Sequence, residues 1–172
     1  MPQEETCIYK GKKFSFKCGY LDSPDGRRVF REYVDHPGSV VILPIIDDKI
    51  ILLNQYRHVI EEWILELPAG TLNPGEDPRS CAYRELIEET GYKANKLIKM
   101  FEMYLSPGYS TEYMHVYLAE DLEYVGQKLD ETEVINLTFV PIDEIPRMIR
   151  EKLIRDAKTI ATLFYYIEFL HE

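Results

Sequence analysis

Gly70-TLNPG-Glu76-DPRSCAY-Arg84-Glu85-Leu86-Ile87-Glu88-Glu89-Thr90-Gly91-Tyr92 is the stretch on which the reading of this chain turns. Asp77 is suited to cap a helix, Pro78 to occupy its first turn and Gly91 to end it in a left-handed residue, so a helix is predicted from Pro78 to Thr90. At about 100° per residue, Glu85, Glu88 and Glu89 share one face and Tyr83, Ile87 and Thr90 the opposite one. The expectation is a helix with an apolar packing side and a carboxylate side at the surface, with Cys81 on the latter merely as a small residue. Like charges at i, i+3 and i+4 cost roughly a few tenths of a kcal/mol per pair unless something neutralises them. Plain solvation accounts for many Glu-rich helix faces. The other reading is a divalent cation: hard oxygen donors suit Mg²⁺ or Mn²⁺, which bind few protein carboxylates and keep waters or substrate phosphates. Taken as surface carboxylates, these groups add little to core stability, so Glu89→Gln is expected to leave the fold intact.

Before this stretch, short extended segments are predicted at Thr6 to Lys10, Phe14 to Tyr20 and Val29 to Asp35, the last two joined across the Ser23-Pro24-Asp25-Gly26 turn. Strands follow at Ser39 to Ile46, Lys49 to Gln55 and Glu62 to Leu67, the first two forming a hairpin across Asp47-Asp48. Beyond Gly91, strands are expected at Lys96 to Tyr104, Tyr113 to Ala119 and Val134 to Val140, then a short helix near Ile145 to Glu151. A last helix, Asp156 to Leu170, places Ala157, Ile160, Ala161, Phe164 and Ile167 in one stripe that can cover a sheet face. The predicted class is α+β, a mixed sheet sandwiched between helices with a small antiparallel N-terminal β subdomain. Its expected limits are 1–38 for that subdomain and 39–172 for the main domain.

The bulk numbers bound the function. A chain of 172 residues, 45% hydrophobic and 29% charged, has the composition of an ordinary globular domain. Its net charge of −10 opposes binding to a nucleic-acid backbone, so no nucleic-acid partner is expected. Cys7, Cys18 and Cys81 form no C-x-x-C pair, which disfavours a zinc site or disulfide framework and fits a cytoplasmic setting. The N-terminus, MPQEETCIYKGKK, lacks an apolar signal core, and the run from Val40 to Ile46 is interrupted by Pro44, so neither secretion nor a membrane span is expected. His36, His58, His115 and His171 are scattered without metal-ligand spacing.

The quoted stretch resembles the Nudix box, G-x5-E-x7-R-E-U-x-E-E-x-G-U with U an aliphatic residue, at all seven fixed letters. With about 5 to 7% frequency per letter, such a match arises by chance at on the order of 10⁻⁸ per starting point. Tyr92 alone departs, and its apolar ring affects packing rather than metal binding. The resemblance implies a Mg²⁺- or Mn²⁺-dependent pyrophosphate hydrolase using two or more ions. It makes Glu85 and Glu89 the principal ligands, Glu88 an assistant, the carbonyl of Ala69 a further donor, and Arg84 the residue that orients a glutamate. Glu76 is implied as a structural or outer acid.

Leu105-Ser106-Pro107-Gly108, with its proline sixteen residues after Gly91, is similar to the pattern of ADP-ribose pyrophosphatases within that family, and Tyr109-Ser110-Thr111-Glu112 continues the likeness. Val29-Phe30-Arg31-Glu32, Asn54-Gln55-Tyr56-Arg57 and Glu66-Leu67-Pro68-Ala69-Gly70 extend it from about residue 9 to 170. By that resemblance Arg31 and Arg57 grip the substrate phosphates, and Glu66, Ser106, Pro107, Gly108 and Glu112 join the substrate site. Adenine needs a flat apolar partner, for which Tyr9, Phe14 and Phe16 are candidates, although each reads more readily as core. The resemblance also implies a homodimer in which N-terminal residues of both chains build each pocket, and a base on the loop before the late strand, Glu131 with Glu133 as the other choice. The expected substrate is ADP-ribose. A different nucleoside diphosphate sugar such as GDP-mannose, or a binding-only nucleotide sensor, are the rival readings.

Overall fold

The computed structural model describes residues 6–171; residues 1–5 and 172, at the ends of the two expected domains, lie outside the described residues. Strands β1 (Thr6–Lys10), β2 (Ser15–Asp22) and β3 (Arg28–Asp35) form a small antiparallel sheet in the order β1-β2-β3. The β2–β3 turn closes where the sequence places it, with Gly26 N–H donating to the Ser23 carbonyl at 2.9 Å and Gly26 at φ 81°. This sheet is stitched to the rest by Val34, whose N–H donates to the Tyr109 carbonyl at 2.8 Å and whose carbonyl accepts from Thr111 N–H at 3.0 Å.

The main sheet contains β4 (Ser39–Ile46), β5 (Lys49–Arg57), β6 (Glu62–Glu66), β7 (Ala69–Thr71), β8 (Tyr92–Tyr104), β9 (Tyr113–Tyr124) and β10 (Ile135–Pro141). Its central order is β10-β5-β4-β9-β8, with β6 paired to β5 and β7 to β4. Among the described residues the β4–β9 pair alone is parallel in this sheet, which makes it mixed. Alternation along β4 decides the layers. Val40 and Ile42 face α1 (Pro78–Thr90), packing with Cys81, Ala82 and Leu86, while Val41 and Leu43 face α2 (Ile145–Arg150) and α3 (Ala157–Phe169), packing with Ile145, Leu163 and Tyr166. A strand covered on both faces must be apolar throughout, which is why β4 reads as a continuous hydrophobic run. The β4–β5 hairpin is tight because Asp47 and Asp48 both adopt positive φ, 47° and 57°.

Several expectations are corrected. The three-residue β7 was not predicted: Pro68-Ala69-Gly70 carries no strand pattern, and the segment is extended because Ala69, Gly70 and Thr71 pair with Val41, Val40 and Ser39. β8 starts four residues earlier than Lys96 and β9 ends five later than Ala119, since polar ends with little alternation are held by cross-strand partners such as Lys96 and Glu120, 2.6 Å apart. On α3 the buried stripe is Thr159, Thr162, Leu163 and Tyr166, rotated from the expected one; Phe164 and Ala157 are exposed. The two threonines differ. Thr159 Oγ1 donates to the N-cap Asp156 at 2.6 Å and accepts from Leu67 N–H at 2.9 Å, whereas the buried Thr162 Oγ1 has no hydrogen-bond partner among the described residues.

A buried hydroxyl without a partner costs stability, while one that makes two bonds supplies it. Thr162→Val is therefore expected to raise the thermal midpoint by about 2 to 4 °C, corresponding to about 1 kcal/mol in a domain of this size. Thr159→Val is expected to lower it. Differential scanning calorimetry of both variants checks the pair, and a lowered midpoint for Thr162→Val contradicts the assignment.

Candidate active site

Helix α1 starts and stops as its sequence dictates: Asp77 accepts from Ser80 N–H at 3.1 Å, and Gly91, at φ 77°, donates to the Ile87 carbonyl at 2.8 Å. Its burial does not follow the expected division. Cys81, Ala82, Leu86, Glu89 and Thr90 are buried, while Tyr83 and Ile87 are only half-buried. The carboxylate side is therefore turned inward against β7. Glu89 is 3% exposed, not a surface group, and its Oε2 accepts from Ala69 N–H at 2.9 Å. Glu85 packs against Gly70 so closely that a Cβ there would lie 1.9 Å from the Glu85 carboxyl carbon. Only glycine leaves that space, which is a physical reason for the first residue of the motif.

Arg84 holds the group together. Its Nε and Nη2 donate to Glu76 at 2.8 and 2.9 Å, and its Nη1 donates to Glu85 at 2.6 Å and Glu88 at 3.0 Å. Glu76 also accepts from Asn73 N–H at 2.8 Å, fixing the loop before the helix. The Arg84 fork lowers Glu76 to about 2. One guanidinium is not enough for the rest. Burial raises Glu85 despite Arg84, and burial raises Glu89 well above the ordinary carboxylate range, with the charges of Glu85 and Glu133 adding to it. Cys81 is pushed up to about 12, chiefly by burial, so it is an inert packing thiol beside Arg84.

This donor set fits a hard divalent cation: buried carboxylate oxygens, mutually repelling, with less positive charge than they need. Among the described residues, no group of three Asp, Glu, His or Cys side chains is arranged to hold an ion by itself. Arg84 takes up Glu85 and Glu88, so an ion there needs backbone, water or substrate oxygens as well, as Mg²⁺ commonly does.

The same backbone borders a groove of about 440 Å³, which Ala69, Gly70 and Thr71 help to line. Of the sequence-derived candidates, Arg57, Ser106 and Glu112 line it too, and Glu112 accepts from Ser39 Oγ at 2.7 Å. Glu66 is buried behind Arg57, which it binds in a fork, Nε to Oε1 at 2.5 Å and Nη2 to Oε2 at 2.7 Å. Burial raises Glu66, but the Arg57 hydrogen bonds and the Lys158 charge more than offset that and hold it below its ordinary value. Arg31, Pro107 and Gly108 are not in this groove; they line an adjoining cavity of about 350 Å³, with Tyr109 and Ser110 shared between the two. Of the three N-terminal aromatics, Phe14 lines the groove, and Tyr9 and Phe14 are exposed rather than core.

Glu131 and Glu133 lie on the loop before β10. Glu133 is the member of the pair whose charge raises both Glu85 and Glu89, and its Oε2 accepts from Asp130 N–H at 3.1 Å. Two residues without a sequence signal complete the picture. Gln127 Nε2 donates to the Glu89 carbonyl at 2.5 Å, tying that loop to the end of α1, and Lys158 of α3 enters the groove beside Arg57.

A family model for the NUDIX domain matches residues 35–163. The chain belongs to the Nudix family. It is 40% identical over 161 residues to the ADP-ribose pyrophosphatase of Bacillus subtilis (strain 168), covering 92% of this chain and 87% of that one. It is 38% identical over 161 residues, with the same coverage, to the methanol dehydrogenase activator of Bacillus methanolicus. The crystal structure of an ADP compounds hydrolase matches its fold with a TM-score of 0.83 at 26% identity, covering 97% of this chain and 91% of that one. The chain is thus a Nudix hydrolase, and the Arg84 cluster is its Nudix motif folded onto β7.

Burial of Glu89 gives the Nudix site a pH signature. A carboxyl whose folded pKa is raised contributes stability below its unfolded value and loses it as pH rises through the folded one. In chelator, urea midpoints of the wild type should therefore fall as pH rises above about 4.5, the ordinary carboxylate value, while Glu89→Gln falls less steeply. Equal slopes in the two proteins contradict the buried, raised carboxyl.

Proposed function

We propose that this chain hydrolyses the pyrophosphate bond of ADP-ribose, giving AMP and ribose 5-phosphate, in a Mg²⁺-dependent reaction. The observation that carries the reading is the shared backbone of Ala69 to Thr71. On it rest Glu85 and Glu89, and along it runs the groove that contains Arg57. A diphosphate lying there meets Arg57 directly; Glu85, Glu88 and Glu89 are not among the lining residues, and the Ala69 to Thr71 backbone is what puts them next to it. Identity of 40% over most of both chains with an ADP-ribose pyrophosphatase supports ADP-ribose in particular.

Glu85, Glu88, Glu89 and the Ala69 carbonyl would hold two or more Mg²⁺ or Mn²⁺ ions. Bound metal supplies a Lewis acid for the diphosphate oxygens and lowers the pKa of an attacking water. The chain's own residues do the rest. Arg84 orients Glu85 and Glu88 and leaves the more buried Glu89 to Ala69. Arg57 presents to the phosphates the guanidinium hydrogens that Glu66 does not use. A carboxylate on the 130–133 loop accepts the water's proton, and the electrostatic reach of Glu133 to Glu85 and Glu89 favours it over Glu131. Phe14 offers the adenine a face. Arg31, exposed and in the adjoining cavity with Pro107 and Gly108, takes a phosphate if the enzyme is a homodimer in which N-terminal sheets exchange. Exposed Ile8, Tyr9, Tyr20 and Phe30 on that sheet support such a pairing.

Incubating the purified protein with ADP-ribose and Mg²⁺ and resolving the products by chromatography is expected to yield AMP and ribose 5-phosphate, and no products in chelator. GDP-mannose and other nucleoside diphosphate sugars in the same panel should turn over more slowly. Faster turnover of one of those replaces ADP-ribose as the substrate; binding without products from any of them overturns the hydrolytic reading.

A further inference from the structure

Besides Arg57, the groove is lined by a shielded cation that no motif marks. Lys158 stands on the first turn of α3, with its side chain 11% exposed. Its ammonium bonds Glu66 Oε2 and lies 2.9 Å from Asp156 Oδ2. The Glu66 side chain is 1% exposed, and its other two contacts are the Nε and Nη2 of Arg57. One buried carboxylate therefore joins two cations that line the same groove.

We propose that Lys158 is a positioning residue for Arg57, setting its guanidinium through the shared Glu66 so that a substrate diphosphate meets a fixed set of donors. This rests on the reading of the groove as a diphosphate site. Charge supports it first. Without Lys158, the buried Glu66 would have Arg57 as its only cationic partner among the described residues. Lys158 supplies part of the compensation that the buried Glu66 needs, so the carboxylate does not depend on Arg57 alone. Asp156, 2.9 Å from the Lys158 ammonium, makes the four side chains formally neutral together, so what Lys158 adds is the setting of Glu66 rather than a surplus of charge.

Geometry supports it second. A guanidinium has five N–H donors in one plane; Glu66 takes two from Arg57, which leaves three whose direction is set once Glu66 is set. Glu66 is set from α3, since Lys158 bonds it and the next residue, Thr159, bonds Leu67 N–H. Two residues further along that backbone, Ala69 N–H holds Glu89. The first turn of α3 thus references the phosphate grip and the carboxylate cluster to one frame, and errors of about 1 Å in such a frame are costly to catalysis.

The test uses the full chain as Lys158→Met, Lys158→Arg, Arg57→Ala and the Lys158→Met/Arg57→Ala double variant. Calorimetric binding of inorganic pyrophosphate in chelator is measured for each, with KM and kcat for ADP-ribose in Mg²⁺ alongside. Lys158→Met is expected to weaken pyrophosphate binding about tenfold and to raise KM far more than it lowers kcat, with Lys158→Arg close to wild type. The double variant should bind no more weakly than Arg57→Ala, since the lysine acts through the arginine. Wild-type affinity in Lys158→Met, additive losses in the double variant, or no wild-type pyrophosphate binding each overturn the proposal. If circular dichroism shows Lys158→Met unfolded, Lys158→Gln takes its place in the same cycle. A non-additive cycle in a protein that leaves ADP-ribose intact upholds the positioning role and refutes the substrate assignment alone.

Discussion

Glu76, Glu85 and Glu88 share a single guanidinium, that of Arg84, and the shortage of positive charge this creates governs one end of the molecule. A carboxylate is buried at great cost unless it is paired or hydrogen-bonded. Glu76 takes the largest share of Arg84 and stays well ionised. Glu85 obtains part of what it needs, and Glu89, deepest of the four, has the Ala69 amide. The imbalance fits the proposed divalent-cation site, and the same cluster constrains β7 at Gly70 and Ala69. A side chain at Gly70 would displace Glu85, and a differently turned Ala69 would leave Glu89 without its donor.

From that constraint the architecture around the site follows. β7 is held in place by pairing with β4, whose own residues alternate between the α1 layer and the α2–α3 layer. The central strand therefore ties the carboxylate helix to the helix that carries Lys158 and Thr159. Chemistry and packing meet at one short junction, residues 66–71, where the Arg57 fork, the α3 N-terminal turn and the α1 carboxylates all make contact. Polar groups are concentrated at that junction, and the apolar clusters on either face of the sheet provide the rigidity that keeps it aligned.

Local signals were legible in the sequence and long-range ones were not. Asp77, Pro78 and Gly91 announced the limits of α1, and Asp47-Asp48 announced a tight hairpin, because caps and turns depend on residues near in the chain. The motif itself was legible as a resemblance, carrying Arg84, Glu85, Glu88 and Glu89 to one place. Which side of α1 is buried was not legible: the helical wheel separates charged from apolar residues, but the cover on the carboxylate side is backbone, which has no hydrophobic pattern. The threonine stripe of α3 was hidden for the related reason that Thr159 is buried by its hydrogen bonds rather than by apolarity. Lys158 and Gln127 act across 92 and 38 residues of chain, and nothing adjacent to either hints at its partner.

The central claim is that the inward-turned carboxylates of α1 exist to bind a divalent cation. Titrating Mn²⁺ into chelator-stripped protein, with the free ion followed by electron paramagnetic resonance, tests it without reference to any substrate. The account predicts that the wild type removes Mn²⁺ from solution and that Glu85→Gln and Glu89→Gln, both folded, each lose most of that capacity. A wild type that leaves the free-ion signal unchanged, or glutamine variants that take up Mn²⁺ as the wild type does, would contradict it.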